Sequence, residues 1–239
     1  MSQIARLGLG ALLSLLAATV QGNDAPLSPY EATYRTKVAG FTVELKRTLS
    51  ESAAGYHLNQ SAKKGFLVKL SEDSDFTIND DQIVGEHFVY QLSGISNRRR
   101  EVIFDADAGL IRSLRKKQWT EHPWSPDVLD RLSQQEQMRL LLLRAGQPPA
   151  RMSLSIVDGP KIKLKHFDLV EIGTLNTALG ELKTAHYRLQ FDDPNERSSD
   201  TWLAVEHSFL MVRTEHVERG DKTVIEIVDA SIGGTPITP

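Results

Sequence analysis

The feature that most constrains the fold of this chain is an apolar side chain at every second residue, in one run after another. Apolar and polar residues alternate from Tyr30 to Val38, and the alternation resumes from Phe41 to Leu49. A period of two with one apolar and one charged face is typical of antiparallel strands that are buried on one side. Turn residues such as Gly55 and the Gly220-Asp221 pair separate the runs. The pattern predicts a mainly β protein, either a single large curved antiparallel sheet or a partly open barrel, with one helix packed against it.

The one predicted helix covers about residues 126–145. Ser125-Pro126-Asp127 supplies a capping residue, a first-turn proline and a carboxylate that favours a helix N-terminus. A second capping box at Ser133-Gln134-Gln135-Glu136 leaves a later start or a bend open. Gly146 ends the helix. We expect one apolar stripe to face the sheet: Met138, Leu141, Leu142 and Ala145.

The first 22 residues have the pattern of a secretory signal peptide. Arg6 precedes an apolar run from Leu7 to Val20, and a cut after Gly22 is consistent with the residues before it. An uncleaved membrane anchor is the alternative, but the run is short for a membrane span. We therefore expect residues 1–22 to be removed, 23–29 to be a linker and 30–239 to form a single strand-rich domain. The predicted location is the periplasm, with no transmembrane segment after cleavage.

The composition excludes several classes of catalytic and metal-binding site. The chain has no cysteine and a formal net charge of −3. Disulfides, thiol catalysis and thiolate metal sites are therefore excluded, and the charge gives no reason to expect a nucleic-acid partner. Gly-x-Ser-x-Gly, phosphate-binding and dinucleotide-binding motifs are absent from the sequence. Seven histidines are scattered without metal-ligand spacing: His57, His87, His122, His166, His186, His207 and His216. We expect no catalytic residues, no metal and no cofactor.

Short motifs along the chain carry a family resemblance. They are Tyr30-Glu31-Ala32-Thr33-Tyr34 with Ala39-Gly40-Phe41, Phe104-Asp105, Asp130-Arg131-Leu132-Ser133, Val157-Asp158-Gly159, Thr177-Ala178-Leu179-Gly180, Trp202-Leu203-Ala204 and Val212-Arg213. In order and spacing these motifs resemble the bacterial envelope proteins of the domain of unknown function 3108 family, over about residues 28–232. The resemblance implies an exported, strand-rich protein. The family has no established activity, so the resemblance assigns no activity and no catalytic residues to this chain.

The main charge feature is the run Arg98-Arg99-Arg100, with Arg112, Arg115, Lys116 and Lys117 one hairpin later. Cations on adjacent strands would suit phosphate or carboxylate groups, such as those of lipids, although charged strands also simply protect sheet edges. Strand aromatics would line the concave side of the sheet, either as a filled core or as a groove for an acyl chain: Tyr30, Tyr34, Phe41, Tyr56, Phe66, Phe76, Phe88 and Tyr90.

The sequence therefore predicts a non-catalytic binding or carrier module for an amphipathic or anionic envelope molecule, such as a lipid. The predicted ligand-binding residues are Arg98, Arg100, Arg115, Lys117, Tyr34, Tyr90 and Trp202. One alternative is a structural or assembly factor that binds another envelope protein through a sheet edge. A third is a hydrolase acting on an envelope substrate.

Overall fold

The computed structural model describes residues 27–38, 40–64, 68–94, 96–193 and 196–238. The predicted signal peptide and most of the predicted linker lie outside the described residues. The strands are β1 (Tyr30–Val38), β2 (Phe41–Ser52), β3 (Gly55–Lys64), β4 (Val68–Asn79), β5 (Gln82–Gly94), β6 (Arg98–Asp105), β7 (Leu110–Arg115), β8 (Gln118–Pro123), β9 (Val128–Leu129), β10 (Arg151–Asp158), β11 (Lys161–Thr177), β12 (Gly180–Leu189), β13 (Arg197–Ala204), β14 (Leu210–Glu218), β15 (Asp221–Ile232) and β16 (Thr235–Pro236). One helix, α1 (Ser133–Ala145), lies between β9 and β10.

All sixteen strands belong to one sheet, which confirms the predicted fold class. The order is β8-β7-β6-β5-β4-β3-β2-β1-β15-β14-β13-β12-β11-β10-β9, and β16 pairs with β15. Nearly every strand pairs with its neighbours in sequence, so the chain forms two meanders that are joined where β1 meets β15. The pairing of β9 with β10 is parallel, whereas the other pairs are antiparallel. The sheet is open, because its path has two ends.

Side chains join these two ends of the sheet at a seam. The Nε2 atom of His122 on β8 lies 3.1 Å from the carbonyl oxygen of Gly159, in the turn between β10 and β11. Arg115 on β7 forms an ion pair with Asp158 at the end of β10, at 3.1 Å. The curved sheet therefore resembles a barrel that is nearly closed.

The predicted alternation gives the sheet a continuous buried face, here called the inner face. Residues directly opposite each other on neighbouring strands share a face. One buried row crosses six strands through Leu49, Leu58, Ser74, Phe88, Val102 and Ser113. Most of the predicted aromatics fill this core, because Tyr30, Tyr34, Tyr56, Phe76 and Phe88 are buried. Phe41 is an exception at 61% exposed, and Phe66 lies outside the described residues.

The helix begins at Ser133, the later of the two starts that the sequence leaves open, and not at residue 126. Pro126 and Asp127 form a turn, and β9 follows it and pairs with β10. The buried carboxylate of Asp130 then accepts hydrogen bonds from the backbone N–H groups of Leu132 and Ser133, at 2.7 and 2.9 Å. It also accepts hydrogen bonds from the hydroxyls of Ser74 and Ser133. Asp130 thus satisfies donors that a helix N-terminus leaves unpaired, so α1 begins at Ser133.

The helix is buried on more sides than a single apolar stripe predicts. Its buried residues are Ser133, Glu136, Gln137, Met138, Arg139, Leu140 and Leu142, whereas Ala145 of the predicted stripe is exposed. Polar groups in such a position need partners. The side chain of Gln137 accepts a hydrogen bond from the Ile83 N–H at 2.6 Å and donates one to the Asp81 carbonyl at 2.7 Å.

An ion pair also lies inside the protein, within α1. The Nη1 atom of Arg139 lies 2.5 Å from the Oε2 atom of Glu136, and both side chains are almost fully buried. The hydroxyl of Tyr30 donates to the other oxygen of Glu136 at 2.7 Å, and the guanidinium lies 4.8 Å from the centre of the Tyr30 ring. The helix is therefore held to β1 by charge as well as by apolar contacts.

Candidate functional site

At one level of the inner face, polar side chains replace the apolar core. The cross-strand register aligns Arg47, Gln60, Glu72, Tyr90 and Arg100 across β2 to β6. The Arg47 Nε donates to Gln60 Oε1 at 2.9 Å, and the Gln60 amide donates to Glu72 at 2.9 Å. We call these five residues the polar row. Because they share a face with the buried rows, they point into the curve of the sheet.

The segment that leads into α1 adds a further cation to this row. The Nε atom of Arg131 lies 3.1 Å from the Oε1 atom of Glu72. The guanidinium groups of Arg131 and Arg100 lie 5.3 and 5.6 Å from the centre of the Tyr90 ring, within the range of a cation–π interaction. Tyr90 therefore holds two arginines next to each other at the polar row.

A cavity of about 730 Å³ opens beside the polar row. Its basic lining comprises Arg100, Arg131, Lys163, Lys165 and Arg197, and Asp158, Asp192 and Glu218 supply carboxylates. Its apolar lining includes Met138, Phe167, Leu189 and Phe191. A smaller pocket of about 130 Å³ shares Arg131, Gln135 and Thr214 with the cavity and reaches Tyr34 and Arg47. The interior is thus a filled core that leaves a mixed polar and apolar cavity.

A second depression, here called the basic groove, has a volume of about 960 Å³. Its lining contains six cationic side chains and no carboxylate: Arg98, Arg99, Arg100, Arg115, Lys116 and Lys117, with Gln91, Asn97 and Leu114. Lys116 and Lys117 form the turn between β7 and β8 with φ values of 51° and 65°. Asn and Gly are the usual residues in this conformation, so the turn carries cations at a conformational cost. Arg100 lines both the groove and the cavity.

Two carboxylates, Glu101 and Asp158, partly offset these cations, and Glu101 lies 2.8 Å from Arg99. Asp158 pairs with Arg115 at 3.1 Å and lies 3.8 Å from Arg100. Burial lowers the pKa of Arg100, and the nearby charges of Arg131 and Arg115 lower that pKa further. Burial likewise lowers the pKa of Lys165, which also lies near Arg131 and Lys163. Repulsion among cations at the boundary between groove and cavity would be relieved by an anion.

The structure brings most of the predicted site residues together. Arg98, Arg100, Arg115 and Lys117 line one groove, as the sequence indicates. Tyr90 is half-buried and stands between Arg100 and Arg131.

Tyr34 and Trp202 depart from the prediction. Tyr34 is only 1% exposed and donates a hydrogen bond to the Met211 carbonyl at 2.9 Å, so its contribution is mainly to the core. Trp202 lies on the outer face of the sheet. It is opposite Arg213, Arg213 is opposite Glu226, and Glu226 is opposite Arg35, the outward neighbour of Tyr34. Trp202 stacks on His186 with a centroid distance of 4.2 Å.

Sequence reasoning missed the cavity cations Arg131, Lys163, Lys165 and Arg197. A signal for the two lysines is present in the alternation of Lys161-Ile162-Lys163-Leu164-Lys165 on β11. Such an alternation normally predicts that the apolar residues, here Ile162 and Leu164, face the core. Here Leu164 is 60% exposed, and the lysines opposite Leu154 and Ile156 of β10 face inward.

Several histidines in the described part of the chain pair with carboxylates. Examples are His186 with Asp200 at 2.6 Å, His57 with Asp75 at 2.6 Å and His87 with Glu101 at 2.9 Å. Among the described residues, no group of three or more His, Cys, Asp or Glu side chains could hold a metal ion. No helix in these ranges has the length and apolar content needed to cross a membrane.

Comparison with known proteins identifies one family of unknown function and a solved structure of similar fold. The family model described as "Protein of unknown function (DUF3108)" matches residues 29–225. The crystal structure of a beta-barrel-like protein of domain of unknown function DUF1849 from Brucella abortus is similar in fold, with a TM-score of 0.58 and 10% sequence identity. The match covers 86% of this chain and 98% of that chain. None of the curated proteins matches the chain.

Proposed function

Because the chain belongs to the DUF3108 family, a family of unknown function, we propose its role from its own site: it is a non-catalytic binding module for an anionic amphiphile. The ligand class combines a phosphate or carboxylate group with an apolar portion. A membrane lipid is the representative of this class that an exported protein would meet.

The observation that carries the proposal is the junction of the basic groove with the cavity at Arg100. The groove has six cations and no lining carboxylate, which suits a group with negative charge. The cavity next to it has apolar walls at Met138, Phe167 and Leu189. Ligand sites of this size usually combine apolar walls with a few polar groups that fix the orientation of the ligand.

In this proposal, the charged group of the ligand contacts the groove and the boundary at Arg100, while its apolar portion enters the cavity. The cavity is too small to enclose a whole two-chain lipid, because its volume of about 730 Å³ falls within the range for drug-sized ligands. A single acyl chain, or the first part of one, is the expected occupant.

The proposed location is the periplasm, after removal of residues 1–22. Its support is the sequence pattern of Arg6 followed by the apolar run from Leu7 to Val20. The test is the N-terminal sequence of the protein recovered from the periplasmic fraction of expressing cells. An N-terminus at Asn23 is expected, and an intact Met1 in the cytosolic fraction would contradict export.

The test of binding is native mass spectrometry of gently purified protein, together with thermal unfolding in the presence of phosphatidylglycerol or phosphatidylcholine. A co-purifying lipid and a rise in Tm with the anionic lipid are expected, because a ligand that binds only the native state stabilises it. The variant Arg98→Ser/Arg99→Ser/Arg100→Ser should lose this rise. The matched control is Arg35→Ser/Arg112→Ser, which changes exposed arginines outside the groove. A protein without bound lipid, whose Tm neither lipid changes, would end the proposal.

A second candidate function is binding of another envelope protein through a sheet edge. Strand β9 covers β10 only at Ser155 and Ile156, so residues 151–154 have no strand on that side among the described residues. An extended segment of a partner could pair with this edge. Chemical crosslinking followed by mass spectrometry distinguishes the two functions. One partner crosslinked near β10 in stoichiometric amount, with no lipid bound, would favour this candidate.

A further inference from the structure

Besides Arg197, which is paired with Glu218, three cations line the cavity without lining the basic groove. Arg131 precedes α1, and Lys163 and Lys165 lie on the inner face of β11. Arg131 has an ion pair with Glu72 at 3.1 Å. Within the described ranges, neither lysine has a carboxylate within 4.0 Å of its ammonium group. Two positive charges are therefore held at the inner face without a direct counter-charge.

Lys165 is the more confined of the two lysines. It is half-buried, lies opposite the buried Leu154 and is followed two residues later by the buried Phe167. Burial lowers the pKa of its ammonium group, and the neighbouring Arg131 and Lys163 lower it further, while Asp158 opposes them. An unpaired ammonium group in such surroundings costs free energy in the empty protein.

The three cations also differ in geometry in a way that suits one oxyanion. Arginine presents a planar fork of donors, whereas lysine is a compact charge on a flexible stem. Arg131 is oriented by its contacts with Glu72 and Tyr90, so its position is set before a ligand arrives. A phosphate group carries several strong acceptor oxygens and can contact such a fork and two ammonium groups together.

We propose that Arg131, Lys163 and Lys165 form a subsite for one phosphate group, with Phe167 and Leu189 contacting the apolar part of the same ligand. The subsite rests on the proposed function and makes it more specific, because it names a phosphorylated amphiphile as the ligand. It also assigns a role to β11, whose inward lysines the basic groove does not include.

The experiment measures the binding of three probes by isothermal titration calorimetry, with the amphiphiles below their critical micelle concentrations. Dodecyl phosphate has a phosphate group and one alkyl chain, dodecyl maltoside has the same chain without charge, and inorganic phosphate has the charge alone. The variants are Lys165→Met and Lys163→Met. The matched control is Lys161→Met, which lies on the same strand but does not line the cavity.

Lys165→Met should weaken the binding of dodecyl phosphate by roughly ten- to a hundredfold, since a hydrogen bond to a charged group contributes that much. Lys163→Met should weaken it in the same direction, and Lys161→Met should leave it within about twofold. Lys165→Met should not lower the Tm of the empty protein, because it removes an unpaired cation. If this variant does not fold, Lys165→Gln replaces it.

The outcomes separate the subsite from the proposed function. If the wild-type protein binds dodecyl phosphate and both lysine variants bind it equally well, the subsite is overturned and the proposed function stands. If only inorganic phosphate binds, and binding depends on Lys165, the subsite stands for free phosphate and the amphiphile is overturned. If none of the three probes binds, both proposals are overturned.

Discussion

Separating the buried ion pair of α1 should destabilise the protein more than any other change to the charges of that helix. The Glu136 and Arg139 side chains are both almost fully buried, and their charged atoms are 2.5 Å apart. Arg139→Met leaves a buried carboxylate with Tyr30 as its remaining partner, and Glu136→Gln leaves a buried guanidinium without its carboxylate. Breaking one side of a buried pair costs about 3–5 kcal/mol.

The double variant Glu136→Gln/Arg139→Met should be more stable than the sum of the single effects predicts. It removes both charges of the pair, and replacing a whole buried pair by uncharged groups is often nearly neutral. The difference between the observed and summed effects is the coupling free energy of a double-mutant cycle. We expect a coupling of several kcal/mol, of which the smaller part is the direct hydrogen bond, at about 1.5–3 kcal/mol.

Urea denaturation followed by tryptophan fluorescence measures each free energy of unfolding, with the slope checked for constancy. Arg144→Met is the matched control, because Arg144 lies on the same helix and its ion pair with Asp81 at 3.3 Å is exposed. An exposed pair contributes about 0–1 kcal/mol. The reasoning is refuted if Arg139→Met costs no more than Arg144→Met, or if the single effects add without coupling.

Three further predictions concern the core and the start of the helix. A Cβ at Gly85 would lie 2.8 Å from the Phe104 ring, so Gly85→Ala should cost about 1–3 kcal/mol by overpacking, measured by urea denaturation; an unchanged midpoint would contradict the close contact. Asp130→Ala removes the acceptor at the start of α1 and should lower the free energy of unfolding by about 2 kcal/mol. Thermal unfolding measures the effect, and a Tm equal to that of the wild type would contradict it. Burial raises the pKa of Tyr34 to about 12, with Glu136 adding to the rise and Arg47 opposing it. Since the folded pKa exceeds the unfolded value of about 10, the resulting stability is complete below pH 10 and is lost as pH rises through 12. Tyr34→Phe should therefore flatten the alkaline loss of stability, and an unchanged loss would show that Tyr34 does not cause it.

The sequence predicts the strands well because burial on one face leaves a direct signal in each strand. Tyr30, Ala32 and Tyr34 are buried on one face, as their alternation predicts. Gly220 forms the predicted turn. The basic groove was also predictable, because Arg98 and Arg115 lie on strands joined by one short turn. Local contacts of this kind require no knowledge of the rest of the fold.

Features that depend on distant parts of the chain were not predictable in the same way. The register shifts between Trp202 and Leu203, so the face that each residue occupies changes within one strand. On β11, the buried neighbours of Lys163 and Lys165 are residues of β10, and only the paired strands show which side is inner. The sequence leaves two helix starts open, and the start at Ser133 depends on Asp130, which is buried against Ser74 of β4, more than 50 residues away in sequence. Each of these features is set by tertiary contacts.

The pairing of β1 with β15 has a consequence for how the chain acquires its structure. Tyr30 lies opposite Ile232, whereas most other strands pair with a neighbour a few residues away. Pairing β1 with β15 closes a loop that contains the other long strands, and the entropy cost of closing this loop slows that step of folding. Each meander can therefore assemble early from local hairpins, and the two halves join only when β15 is in place. Until then, β1 presents an unpaired edge that is open to association with other chains. Truncation before Asp221 would leave that edge exposed permanently. Strand β15 therefore protects β1 from association with other chains.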